Sequence, residues 1–221
     1  ANSSCQIDTE KGADLVIGQT DFQSTACNGD SGYQMYPDVQ MATNSTLCGL
    51  REEQMSVSEG GSGATMITDQ NGNLYVPDFF NNRVLRYNDP FTTDTVADYV
   101  WGQEDFQGIH CNHGIGIIGP TDARSLCLAP PPGIGDLRAG VAVEREDHLW
   151  VADNENNRVL RFPFDPEAGV PAKEADLVLG QPDFTTNYGG STGCRMFKPA
   201  SVAIHKNGDV YVADSLNNRV M

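Results

Sequence analysis

Short apolar runs separated by polar turns make up most of the chain, and no long stretch keeps the 3.6-residue period of an amphipathic helix. The runs are rich in Val, Ile, Leu and Tyr and are bounded by Gly, Asn, Asp and Pro, which reads as strands. They recur in a fixed order. Strand a is V-A-V or V-A-I, in residues 140–144 and 201–205, with a first copy at 64–69. A turn follows: Q-N-G-N, E-R-E-D-H or K-N-G-D. Asn-Gly between apolar runs predicts a type I′ hairpin, in which both central residues take positive φ. Strand b is L-Y-V or V-Y-V, and strand c is R-V-L-R-Y/F, alternating polar and apolar. Between b and c lies D-x-x-N-N-R-V, at residues 78–84, 153–159 and 214–220. Strand d is A-D-L-V-L-G-Q, followed by x-D-F, at residues 13–22, 97–106 and 175–184.

A unit of this size cannot bury its own apolar faces, so neighbouring units must stack. Four short antiparallel strands repeated along a chain are the organisation of a β-propeller blade. The predicted fold is all-β, with about three four-stranded blades. Their cores lie at 64–103, 140–181 and 201–221, and the last is completed by strand 13–19.

The string G-N-L-Y-V-P-D-F-F-N-N-R-V-L-R-Y, with its two partners, resembles the NHL repeat, a β-propeller family. V-L-G-Q-P-D-F further resembles a secreted, mostly microbial subgroup. The resemblance covers about half of the chain. It implies a propeller, usually of six blades, used as a binding scaffold. It implies no reaction, because fold alone does not give function.

The repeat phasing pairs the chain's two ends. Residues 13–19 are a d strand with no a, b or c before them, and 201–221 supply a, b and c with no d after them. Three blades are fewer than the roughly four to eight of a typical ring. The chain is then a piece of a longer propeller, one half of a two-chain ring, or a subunit that donates strand d along a filament. The first is the preferred expectation.

The formal net charge is −16, from 30 acidic and 14 basic residues. No basic patch appears, which argues against nucleic acid, and no apolar run is long enough to span a bilayer. Six cysteines allow 15 pairings. Cys27 and Cys111 share one offset after G-Q-x-D-F, and Cys48 and Cys127 follow later in the same d-to-a connections. This predicts Cys27–Cys48 and Cys111–Cys127. The third connection holds only Cys194, read as the later position, with Gly189 at the early one; Cys5 is left as its partner. Disulfides place the chain outside the cytosol: secreted, periplasmic or at a cell surface. Buried free thiols in a cytosolic protein are the alternative. Sequons stand at Asn2 and Asn44.

The d-to-a connections, residues 23–63, 107–139 and 185–200, share one propeller face with the D-x-x-N-N-R turns. Long loops on a rigid scaffold are where binding resides, so a protein or glycan ligand is expected there. Asp78, Asp153 and Asp214 could hold cations. The stronger reading is structural: each Asp caps its turn before Asn82, Asn157 or Asn218 and pairs with Arg83, Arg158 or Arg219. His110-Cys111-x-His113 suggests a metal, but Cys111 is better assigned to a disulfide. Gly114, Gly116 and Gly119 match a dinucleotide pattern by letters only, and with residues 130–132 they read as loop. No cofactor is predicted. Ca²⁺ could bind the acidic surface, although no EF-hand loop is present. Some NHL propellers resemble the amidating lyase, with a central metal held by histidines. His110, His113, His148 and His205 do not repeat toward one centre, so a metal-dependent lyase or lactonase-like enzyme is the second reading.

Overall fold

Both faces of each inner strand are apolar, and this dictates stacking. In a computed structural model, residues 13–24, 26–29, 42–48, 64–114, 116, 120–129, 139–145 and 147–221 are described. The fold is all-β. The first blade runs β1 (Ala64–Thr65), β2 (Ile67–Thr68), β3 (Leu74–Asp78), β4 (Arg83–Tyr87) and β5 (Tyr99–Trp101). Strands β2 to β5 form an antiparallel sheet in chain order. The second blade is β6 (Ala139–Val143), β7 (Leu149–Asp153), β8 (Arg158–Phe162) and β11 (Leu177–Leu179), also in order. A small hairpin, β9 (Phe164–Asp165) and β10 (Val170–Pro171), lies between its third and fourth strands. The third blade has β12 (Pro199–Ile204), β13 (Val210–Asp214) and β14 (Arg219–Val220).

Strand alternation sends successive side chains to opposite seams. Val84 packs with Tyr75, Trp101, Val141, Leu149 and Leu160 in the seam between the first two blades. Its neighbours Leu85 and Tyr87 point the other way, with Val76, Val100 and the partly buried Ile17 and Leu47. Trp150, Val159, Met196, Val202 and Val212 fill the seam between the second and third blades. A fully buried large apolar side chain contributes roughly 1.5–3 kcal/mol, so the seams supply much of the driving force for stacking. At the inner edge the backbones nearly touch. β1 pairs in parallel with β6 (Ala64↔Ala139), and a Cβ on Gly140 would lie 2.8 Å from the Cα of Ser201.

Two expectations change. The two Asn-Gly turns are not type I′, because in each only the glycine, Gly72 (φ 84°) or Gly208 (φ 93°), takes positive φ and not the asparagine before it; in the second blade's turn Asp147 (φ 60°) takes the left-handed position. Residues 13–19 form no strand and do not lie on the third blade. Ile17 packs on the first blade, where Leu47 of the incoming connection covers the same surface.

The glycine that ends each strand d is fixed by close approach. Gly102 and Gly180 both have φ +88°, and an added Cβ would lie 2.8 Å from the Asn82 carbonyl oxygen and 3.0 Å from that of Asn157. A side chain there meets backbone that cannot yield. Gly102→Ala should therefore destabilise by more than the ~1–2 kcal/mol of a left-handed residue alone, read as a lower urea midpoint. An unchanged midpoint would refute the close approach.

Candidate functional site: the turn and connection face

Each D-x-x-N-N-R turn is a short 3-10 turn closed by its second Asn in the left-handed region: Asn82 (φ 50°), Asn157 (55°) and Asn218 (50°). Asn tolerates that conformation better than most residues. The Asp side chain does not cap its own turn, contrary to the sequence reading. It reaches across to the incoming connection. Asp78 Oδ1 accepts the Cys48 N–H (2.7 Å), Asp153 Oδ1 that of Cys127 (2.7 Å), and Asp214 Oδ1 that of Phe197 (2.7 Å). The other oxygen of each accepts from the first Asn of its motif and from the Arg Nε.

The arginines take the rest of the load. Arg83 and Arg158 are fully buried. Arg83 donates to the carbonyls of Thr43 and Thr46 in the incoming connection and to that of Phe106 in the outgoing one. Arg158 repeats this with Ser125 O (2.8 Å) and Phe184 O (2.7 Å). Arg219 donates to Ser191, Thr192 and Arg195, all in its incoming connection, and its side chain is 30% exposed.

The second Asn ties one blade to the next. Asn82 Oδ1 accepts the Leu128 and Ala129 N–H groups while its Nδ2 donates to Ile109 O. Asn157 Oδ1 accepts from Lys198 N and its Nδ2 donates to Asn187 O. The Gln of strand d closes the circuit. Gln103 Nε2 donates to the Asn82 and His110 carbonyls, and Gln181 Nε2 to those of Asn157 and Tyr188. These polar groups are satisfied by protein, which leaves the motif little capacity for a ligand.

The cysteines belong to the same joint. Cys27–Cys48 and Cys111–Cys127 are disulfides, each with a Cα–Cα distance of 4.5 Å. The residue after each early cysteine forms a reciprocal amide pair with the first Asn of the motif: Asn28 with Asn81, and Asn112 with Asn156. In the third connection Gly190 takes that place, accepting from Asn217 Nδ2 and donating its N–H to Met196 O. The early position is therefore Gly189, as the offset indicated. The later position is Phe197 and not Cys194, because Phe197 donates the N–H that Cys48 and Cys127 donate in the other two. The Phe197 ring lies where a side chain on Gly189 would go, 2.6 Å from its ideal Cβ. Aromatic-on-glycine packing replaces the covalent link. Cys194 is exposed and not disulfide-bonded, three residues before the repeat position. Cys5 and Asn2 lie outside the described residues, as do Gly119 and residues 130–132. Asn44, the second sequon, lies half-buried in the first connection, and its carbonyl accepts the Ala97 N–H.

Burial pushes the Asp153 carboxyl up, against the opposing pull of Arg158. Burial also raises Glu155, which pairs with Lys198. The Asp of x-D-F behaves oppositely. Asp21 and Asp183 accept bonds from residues two and three further on, which hold their carboxyls low.

The histidines stay apart. His110 and His113 are on the connection side; His113 Nδ1 lies 3.6 Å from Glu104. His148 and His205 are at the opposite ends of the sheets, where His148 Nδ1 accepts the Phe164 N–H (2.7 Å) and His205 contacts Asn207. Among the described residues, no group of three or more His, Cys, Asp or Glu is placed to hold a metal, and no helix is long and apolar enough to cross a membrane.

With this geometry the comparisons with known proteins are informative. The NHL repeat family matches at residues 139–162 and 198–220, the a-to-c portions of the second and third blades. Peptidyl-alpha-hydroxyglycine alpha-amidating lyase 1 of Drosophila melanogaster is 31% identical over 130 residues. The alignment covers 54% of this chain and 22% of that protein's length.

Two substitutions test the joint. Arg158→Met leaves the Asp153 carboxylate buried without its ion pair, which should cost about 3–5 kcal/mol. Arg219→Met should cost less, because water reaches Arg219; equal losses in chemical denaturation would contradict the account. Gly189→Cys with Phe197→Cys should form a third disulfide under oxidising conditions. Peptide mass mapping that finds both thiols free would show the positions not to be equivalent.

Proposed function

We propose, from the premise that the chain carries NHL repeats built as propeller blades, that it is a binding scaffold working outside the cytosol. The observation that supports this is the division of labour on one face. The repeated Asp, Asn and Arg side chains are spent on holding the connections. The connections themselves differ in length and sequence, and they are where a protein or glycan ligand would be read. Two disulfides stiffen that face and suit an oxidising compartment. Cys5 is the cysteine left to pair with Cys194, whose thiol is exposed and free in this structure. Non-reducing mass mapping tests that pairing, and native mass tests whether copies of the chain associate.

The second reading is a metal-dependent propeller enzyme. The likeness to an amidating lyase favours it, and the scattered histidines weigh against it.

Purified protein should carry no stoichiometric transition metal and should leave a peptidyl-α-hydroxyglycine intact. On a protein and glycan array it should capture a ligand. Capture should weaken with Phe22→Ser or Tyr188→Ser on the connection face and survive Phe91→Ser at the opposite end of the first blade. Turnover with a stoichiometric metal would favour the enzyme; sensitivity only to Phe91→Ser would put binding elsewhere.

A further inference from the structure

The third connection departs from the other two in ways that do not depend on one another. Its disulfide is replaced by the Phe197 ring on Gly189. It has no acidic residue between Thr185 and Pro199, on a chain of net charge −16. The first connection carries Asp30, Asp38, Glu52, Glu53 and Glu59, and the second Asp122 and Asp136. Arg195 and Lys198 are the only charged residues of that stretch. Lys198 is neutralised by Glu155. Arg195 is not: its Nη1 donates to two neutral acceptors, Gln181 Oε1 (3.1 Å) and Tyr188 O (3.3 Å). Among the described residues no carboxylate pairs with it.

Two exposed aromatic rings belong to the same connection. Tyr188 is 72% exposed and Phe197 is 40% exposed. Tyr188 is held through its backbone, because its carbonyl accepts from Gln181 and Arg195, so its ring projects from a fixed point. Gly189 and Gly190 lie between these side chains. The Phe197 ring covers one, and the Arg195 stem approaches within 3.1 Å of an ideal Cβ on the other. The connection thus exposes two aromatic side chains and carries one half-buried guanidinium that no carboxylate among the described residues neutralises.

We infer that Tyr188, Phe197 and Arg195 form a docking surface for an acidic peptide segment that carries apolar side chains. This rests on the scaffold reading above and names the partner of its connection face. Charge complementarity selects the class, since this patch attracts anions on a chain that otherwise repels them. A nucleic acid fits less well. It needs many cations along a phosphate backbone, and here a single guanidinium lacks a carboxylate partner among the described residues. Tyr and Arg are side chains that dominate binding energies at interfaces; Tyr188 is exposed and Arg195 half-buried.

The test is fluorescence polarisation with a labelled peptide alternating Glu and Tyr, against a Lys–Tyr control and an oligouridylate. The Glu–Tyr peptide should bind and the control should not. Tyr188→Ser and Arg195→Gln should each weaken binding about tenfold, or ~1.4 kcal/mol. Arg195 also holds the loop, so Tyr188→Ser, checked for an unchanged melting temperature, is the decisive variant. Four results overturn the inference: no binding at millimolar peptide, equal binding of the Lys–Tyr control, preference for the oligouridylate, or full binding by Tyr188→Ser. Loss with Phe22→Ser but not with Tyr188→Ser keeps the connection-face reading and removes this location.

Discussion

A guanidinium buried against a carboxylate fixes where the connections of this protein can run. Arg158 and Asp153 lie within 2.7 Å with no exposure to solvent, and the pair recurs at Arg83–Asp78. An isolated buried charge is prohibitive, and even a pair is costly unless its remaining donors and acceptors are met. Here they are met by backbone groups of the connections entering and leaving the blade. The ion pair therefore ties the connections to the sheet, and each connection must pass at hydrogen-bonding distance. The left-handed Asn beside each Arg extends the constraint to the next blade, through Leu128 and Ala129 in one case and Lys198 in the other. The apolar seams supply the driving force for stacking, and the polar joint sets the register.

Once the joint is fixed, variation is confined to what it does not use. The two x positions of the motif are Phe79–Phe80, Asn154–Glu155 and Ser215–Leu216, and the surroundings follow. The first pair lies in an apolar seam with Leu128, whereas Glu155 meets Lys198. The covalent link is also dispensable. Cys27–Cys48 and Cys111–Cys127 occupy positions that Gly189 and Phe197 fill by packing alone, with the same backbone bonds to Asp214 and Met196. A disulfide typically contributes about 2–4 kcal/mol. Its replacement leaves one connection less constrained on a face where the other two are locked.

Much of the architecture was legible because period and punctuation are local. The strand order, both disulfides and the Asp–Arg pairs follow from spacing within one repeat. What was not legible depends on where chains meet in space. The Asp side chains read as turn caps, yet their partners are the amides of Cys48, Cys127 and Phe197, tens of residues away in the first two blades and 17 in the third. Cys194 read as the later cysteine because residue type was matched instead of bonding partner, and a Phe in a cysteine's place has no sequence signature. Asn-Gly read as type I′, but the longer a-to-b turns need only one left-handed residue. Strand 13–19 was paired by pattern with the third blade, while Ile17 finds its apolar neighbours on the first.

Hydrogen exchange at the backbone amides of Cys48 and Cys127 tests the central claim most directly. Both belong to connections that would be open loops if the buried carboxylates did not hold them. If Asp78 and Asp153 anchor the connections, these amides exchange as slowly as those in the middle of β4 and β8. Exchange at the rate of an exposed loop, with the strands still protected, would contradict the account.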